Sequence, residues 1–141
     1  MNLYAESSAV LSWLLGDEDT ERVREILASA QIIFASDLTL VECDRVLVRS
    51  VHSGRLSENR AAELAADLSR AAENWVLLRL NPEVLERARR PFPAEPVRTL
   101  DAIHLASALM ARRAVPDVTV LSFDRRVRRC GEQLGLAVLP S

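Results

Sequence analysis

An α/β sandwich built on a parallel sheet is the fold this sequence predicts, and three observations carry that prediction. Five apolar runs, too short for helices and rich in branched side chains, alternate with longer stretches of helical spacing. Strands that alternate with helices join through crossovers, so they lie parallel and are covered on both faces. The chain has 141 residues, 49% of them hydrophobic, with only 4 Gly and 6 Pro, which suits one packed domain over residues 1–141 and excludes a disordered or collagen-like chain.

The elements follow in order. Leu3–Ala5 is the first strand, and the helix Ala9–Leu15 after it is stopped by Gly16. Glu18–Ser29 has helical spacing, Ile32–Ala35 is the second strand, and the helix Leu38–His52 ends before Gly54. Ser57 suits the cap of a helix over Glu58–Asn74, and Trp75–Arg79 is the third strand. Pro82 fits the first turn of the helix Pro82–Arg90. The segment Arg90–Arg98 holds Pro91, Pro93 and Pro96, so it is an extended or turning connection within the domain. The helix Leu100–Arg113, strand Val118–Phe123, helix Arg125–Leu134 and strand Ala137–Leu139 complete the chain.

Composition removes several function classes. All 18 basic residues are arginine, so every mechanism that needs a lysine amine is excluded, including Schiff bases, P-loops and phosphate-sensing receiver domains. The net charge of -2 is polarised: residues 1–70 hold seven arginines against twelve acids, and residues 71–141 hold eleven against eight. A wholly basic nucleic-acid binder is disfavoured, but a local arginine surface can still hold phosphates. Cys43 and Cys130 match neither a CxxC nor a zinc pattern and read as buried thiols in a reducing compartment. The first residues lack a basic leader, and no apolar run nears the roughly 20 residues that span a bilayer, so a cytoplasmic protein with no membrane partner is expected.

In an open α/β sheet, ligands bind beyond the carboxyl ends of the strands. Glu6 directly follows the first strand and Asp124 directly follows the fourth, which sets both on one rim, although capping of the next helix is a competing role for each. Glu42 and Asp101 sit in strongly apolar helical segments, Leu38-Thr39-Leu40-Val41-Glu42 and Leu100-Asp101-Ala102-Ile103-His104. A buried carboxylate there costs several kcal/mol, as an order of magnitude, unless it meets a cation. The partner of Asp101 is either a metal ion or an arginine such as Arg98 or Arg45, with the helix dipole as a further source of support. Oxygen donors without Cys favour a hard ion, Mg²⁺ or Mn²⁺, over zinc, and such sites commonly run phosphoryl chemistry.

Four segments, Leu-Tyr-Ala-Glu6-Ser7-Ser8, Leu-Thr-Leu-Val-Glu42, Leu-Asp101-Ala-Ile-His104-Leu-Ala and Leu-Ser122-Phe-Asp124-Arg-Arg, resemble in this order a PIN domain of the VapC toxin kind. The resemblance runs from residue 3 to about residue 138. It implies a three-layer α/β/α fold with a five-stranded parallel sheet, and a Mg²⁺- or Mn²⁺-dependent endoribonuclease that is the toxin of a toxin–antitoxin pair. It also implies an RNA substrate, a cognate antitoxin and a homodimer. Carried over by residue, the four acids of the family fall on Glu6, Glu42, Asp101 and Asp124 as catalytic and metal-holding groups, with Ser8 and Ser122 in support. Glu6 departs from the aspartate usual there, so the alternative is a PIN-fold module with impaired catalysis that binds RNA or a partner.

The remaining polar residues carry weaker signals. His104 lies one helical turn after Asp101 and reads first as a satisfied core residue, and His52 as a helix C-terminal residue. Asp37 reads as first-turn support for its helix, and Asp44 points away from Glu42. Arg125 and Arg126 open a run with Arg128 and Arg129 beside the proposed cleft and are the candidates for RNA phosphates, against a solvated helix face as the alternative. The few scattered aromatics form no base-stacking platform, and Trp13 with Leu11, Leu14 and Leu15 makes an apolar face for core or dimer.

Overall fold

The computed structural model describes residues 1–141 and holds all twelve elements. The strands are β1 (Asn2–Ala5), β2 (Ile32–Ser36), β3 (Val76–Leu78), β4 (Val118–Leu121) and β5 (Ala137–Leu139). The helices are α1 (Ser7–Leu15), α2 (Thr20–Ser29), α3 (Asp37–His52), α4 (Glu58–Ala72), α5 (Pro82–Ala88), α6 (Thr99–Ala114) and α7 (Arg125–Gln133). The sheet is parallel throughout, in the order β3-β2-β1-β4-β5. No helix is long and apolar enough to cross a membrane.

Alternation along the strands sends side chains into two helical layers. Leu3, Ala5 and Leu121 pack with Val10, Leu14, Val23, Cys43 and Leu68 from the α1–α4 layer. Tyr4, Val118 and Val120 pack with Leu105, Leu109 and Val127 from the α5–α7 layer. All four residues of β1 are buried, as expected for a central strand with neighbours on both edges. Both cysteines are free and buried, and burial first, then the charges of Glu42, Asp44 and Glu6, push the Cys43 thiol up to about 12.

Several expected boundaries shift for local reasons. Helix α1 starts at Ser7 rather than Ala9, because Glu6 caps it. Strand β4 stops at Leu121 instead of Phe123, and the Ser122 amide makes one further bond to the Leu139 carbonyl before the chain turns. Trp75 lies outside β3, half-buried against the α1–α4 core. Gly16 closes α1 at φ 76°, the left-handed conformation that makes glycine the fitting stop. The proline-rich connection before α6 is irregular, as its composition requires. Of the Trp13 face, Leu14 is buried in the core, Leu11 and Trp13 are partly buried against it, and Leu15 is exposed.

Candidate functional site

The turns after β1 and β4 lie side by side, because these two strands pair in register through Ala5 and Leu121. Glu6 stands in the first turn and is only 5% exposed. One of its oxygens, Oε2, accepts three hydrogen bonds: from the Ser8 amide (3.0 Å), the Ser8 hydroxyl (2.5 Å) and the Ser122 hydroxyl (2.7 Å). Both serines then accept from the second turn, Ser8 from the Phe123 amide (2.8 Å) and Ser122 from the Asp124 amide (3.1 Å). Glu6, Ser8 and Ser122 thus form one network, and it fixes the backbone that presents Asp124. The capping roles weighed for Glu6 and Asp124 are real, since Asp124 Oδ1 accepts from the Arg126 and Val127 amides. Each cap uses one carboxylate oxygen and leaves the other, Oε1 of Glu6 and Oδ2 of Asp124, without a hydrogen bond.

Asp101 occupies the first turn of α6 and is partly exposed. No arginine pairs with it, so the Arg98 and Arg45 alternatives are not realised. Burial, and next the charges of Asp124 and Glu6, hold its carboxyl above the usual carboxylate range, while His104 and Arg126 act in the opposite sense. Three of the expected acids therefore share one field.

Glu42 reaches the site from α3 and is restrained differently. Its Oε1 accepts from the Ser7 hydroxyl (2.7 Å) and lies 2.5 Å from His104 Nε2. Burial raises this carboxyl, but the bonds from His104 and Ser7 outweigh it and hold the group below its ordinary value. Neither Asp37 nor Asp44 joins the cleft: Asp37 begins α3 and pairs with Arg79, and Asp44 faces the groove between α3 and α4.

Glu6, Ser7, Ser8 and Glu42 line a cleft of about 540 Å³ whose other walls include Arg45, Arg49, Val41 and Leu100. Glu42, Arg45 and Arg49 recur at helical spacing on one stripe of α3, and neither arginine has an acidic partner. Sequence reasoning missed them as cleft residues. The signal was available in the i, i+3, i+7 spacing from Glu42, but acids crowd that half of the chain and suggest ion pairs instead. On the α7 side, Arg125, Arg126 and Arg129 are exposed and unpaired. Arg128 of the same run is structural, because its guanidinium donates to the Ser122 and Pro140 carbonyls (2.8 and 2.7 Å).

By the chemistry of its donors, the set suits a hard divalent ion. The oxygens of Glu6, Asp101 and Asp124 that carry no hydrogen bond are all carboxylate oxygens, without the nitrogen and sulfur ligands typical of zinc. As the side chains stand, no three His, Cys, Asp or Glu groups are placed together to hold a metal ion. An open arrangement of this kind fits Mg²⁺, which commonly keeps several waters and binds through one or two carboxylates together with substrate phosphates.

Comparison with known proteins agrees with this architecture. The PIN domain family matches residues 3–133. Ribonuclease VapC46 of Mycobacterium tuberculosis is 32% identical over 137 residues, which are 97% of this chain and 95% of the relative. Among solved structures, FitAcB of Neisseria gonorrhoeae superposes with a TM-score of 0.71 at 18% identity, covering 99% of this chain and 97% of that one. VapC20 of Mycobacterium tuberculosis, described as a Sarcin-Ricin loop cleaving toxin, gives 0.66 at 18% identity over 92% and 95% of the two chains. A toxin-antitoxin complex from Klebsiella pneumoniae gives 0.64 at 15% identity over 99% and 97%.

The raised Asp101 carboxyl has a consequence for stability. A carboxyl whose folded value lies above its unfolded one favours the fold fully at low pH and loses that contribution as pH rises through the folded value. In the presence of a chelator at neutral pH, Asp101→Asn should therefore melt a few degrees above the wild type. The difference should vanish below the ordinary carboxylate range, where both proteins are neutral at this position. Thermal melting at the two pH values checks this, and a variant that melts lower at neutral pH contradicts the crowding of charge described here.

Proposed function

The chain belongs to the PIN domain family, as one of the VapC ribonucleases of toxin–antitoxin systems, and from that membership we propose that it cuts RNA phosphodiester bonds with Mg²⁺ or Mn²⁺ at Glu6, Asp101 and Asp124, beside the cleft lined by Glu6 and Glu42. The observation that carries the proposal is the convergence of Glu6, Asp101 and Asp124 on one field with no basic side chain in ion-pair contact with any of them. Each leaves oxygen free for a divalent ion, and Glu42 is the fourth acid of the set. When bound, such an ion supplies Lewis acidity toward a phosphoryl oxygen and acidifies a water.

The chain's own residues supply position. Ser8 and Ser122 hold Glu6 and, through the backbone amides of Phe123 and Asp124, the second acid as well. Arg45 and Arg49 on one wall, and Arg125 and Arg126 on the α7 side, offer guanidinium groups to the phosphates of a single strand that crosses the carboxylates. Glu6 in place of the usual aspartate is compatible with activity, because its added reach is absorbed by the cap and the two serines while Oε1 stays available. An antitoxin and a second copy of the chain are the partners this reading implies. The apolar groove of about 580 Å³ between α3 and α4, lined by Leu47, Val48, Val51 and Ala61, suits an amphipathic segment of the antitoxin.

Purified protein should cut RNA when Mg²⁺ or Mn²⁺ is added and stop when it is chelated. Asp101→Asn and Glu6→Gln should each lower the rate by about 100-fold or more while the fold persists, because an amide keeps the shape and loses the charge that holds an ion. Cleavage that survives in Asp101→Asn at the wild-type rate assigns the activity to a contaminant and ends this reading. An inert wild type whose Glu6→Asp variant becomes active would instead make the natural chain a catalytically impaired module.

RNA affinity measured against salt tests the arginines. For a single strand, the logarithmic slope should flatten by about 0.7 for each phosphate that a variant no longer neutralises. Arg45→Ala with Arg49→Ala, and separately Arg125→Ala with Arg126→Ala, should both reduce it. An unchanged slope returns the pair concerned to a solvated helix face.

A further inference from the structure

His104 and Tyr4 lie behind the acids, and the proposed reaction makes no use of either. His104 is 1% exposed, and Tyr4 in β1 is fully buried. Both ring nitrogens of His104 are engaged by side chains. Nδ1 lies 2.8 Å from the Tyr4 hydroxyl, Nε2 lies 2.5 Å from Glu42 Oε1, and the Ser7 hydroxyl sits 3.2 Å from Nε2 while it donates to the same Glu42 oxygen. Glu42 belongs to the α1–α4 layer and His104 to the α5–α7 layer, so this chain of bonds joins the two layers at the rim that carries the cleft.

The direction of each bond follows from counting donors. An ionised carboxylate only accepts, so Oε1 takes a hydrogen from Ser7 and another from His104 Nε2. A neutral ring protonated at Nε2 has a bare Nδ1, which accepts from the Tyr4 hydroxyl. The carboxylate thus selects the tautomer, and the Tyr4 hydroxyl, which can donate or accept, completes it by donating to the bare Nδ1. With Oε1 bound twice, the carboxylate has one orientation and turns Oε2 free of protein partners.

We propose that His104, held between Tyr4 and Glu42, is a positioning residue that fixes the Glu42 carboxylate in the cleft and so sets the rate of the RNA cleavage proposed above, on which this role rests. Asp101 and His104 stand one turn apart on α6, and a single helix therefore sets the place of two of the four acids.

Two measurements test this. In the metal-free protein, nitrogen NMR of the His104 ring should show Nε2 protonated and Nδ1 bare. In cleavage assays, His104→Leu should lose about 10- to 100-fold in kcat with KM little changed. His104→Gln, whose amide can still donate to Glu42, should recover most of that loss even if it is the less stable of the two. Tyr4→Phe should fall between Gln and wild type. A buried histidine that serves only packing predicts the reverse order, since leucine suits an apolar core better than glutamine. Equal rates in the folded Leu and Gln variants, or a ring with its proton on Nδ1, overturns the proposal. A wild type that cuts no RNA overturns the function instead, and the ring tautomer then still decides whether His104 orients Glu42.

Discussion

A buried carboxylate tied at one oxygen is the constraint on which the rest of the site depends. Glu6 accepts three hydrogen bonds at Oε2 from residues on two different crossings, and the sequence separation between Glu6 and Ser122 is 116 residues. Bonds to a charged acceptor are worth about 1.5–3 kcal/mol each, so the network defines the rim well. Its effect extends past Glu6, because the same serines order the backbone that carries Asp124. Asp101 arrives from α6 into a field already negative.

Topology explains why the acids meet at all. In a parallel sheet every strand points its carboxyl end to the same rim, so Glu6 and Ser122, just after β1 and β4, lie on the rim where Ser36 ends β2. The order β3-β2-β1-β4-β5 puts β1 at the centre, with α3 leaving from one neighbour and α7 from the other.

Much of this was legible in the sequence, for physical reasons that differ by residue. Apolar runs and caps gave every element, because strand and helix periods are local properties. Glu6 and Asp124 were visible as acids at strand ends, and Asp101 as a charge in an apolar helix without a local partner. The structure removes Arg98 and Arg45 as partners of Asp101, which spacing alone had left open. His104 is a satisfied buried residue, as a lone histidine in an apolar helix suggests, but its partners Tyr4 and Glu42 are 100 and 62 residues away. No local pattern encodes such a pairing. Arg128 shares a run with Arg125 and Arg126 yet turns inward and donates to the Ser122 and Pro140 carbonyls, a pairing across the fold that the run itself does not encode.

The proposed reaction requires that the free oxygens of Glu6, Asp101 and Asp124 hold a divalent cation. The direct test is a calorimetric titration of Mn²⁺ into the metal-free wild type and into Asp124→Asn, followed in parallel by Mg²⁺-dependent melting. The account predicts saturable binding and a rising melting temperature in the wild type by mass action, with both strongly reduced in the variant. Equal affinity and equal shifts in the two proteins would contradict it, because the ion would then be bound elsewhere.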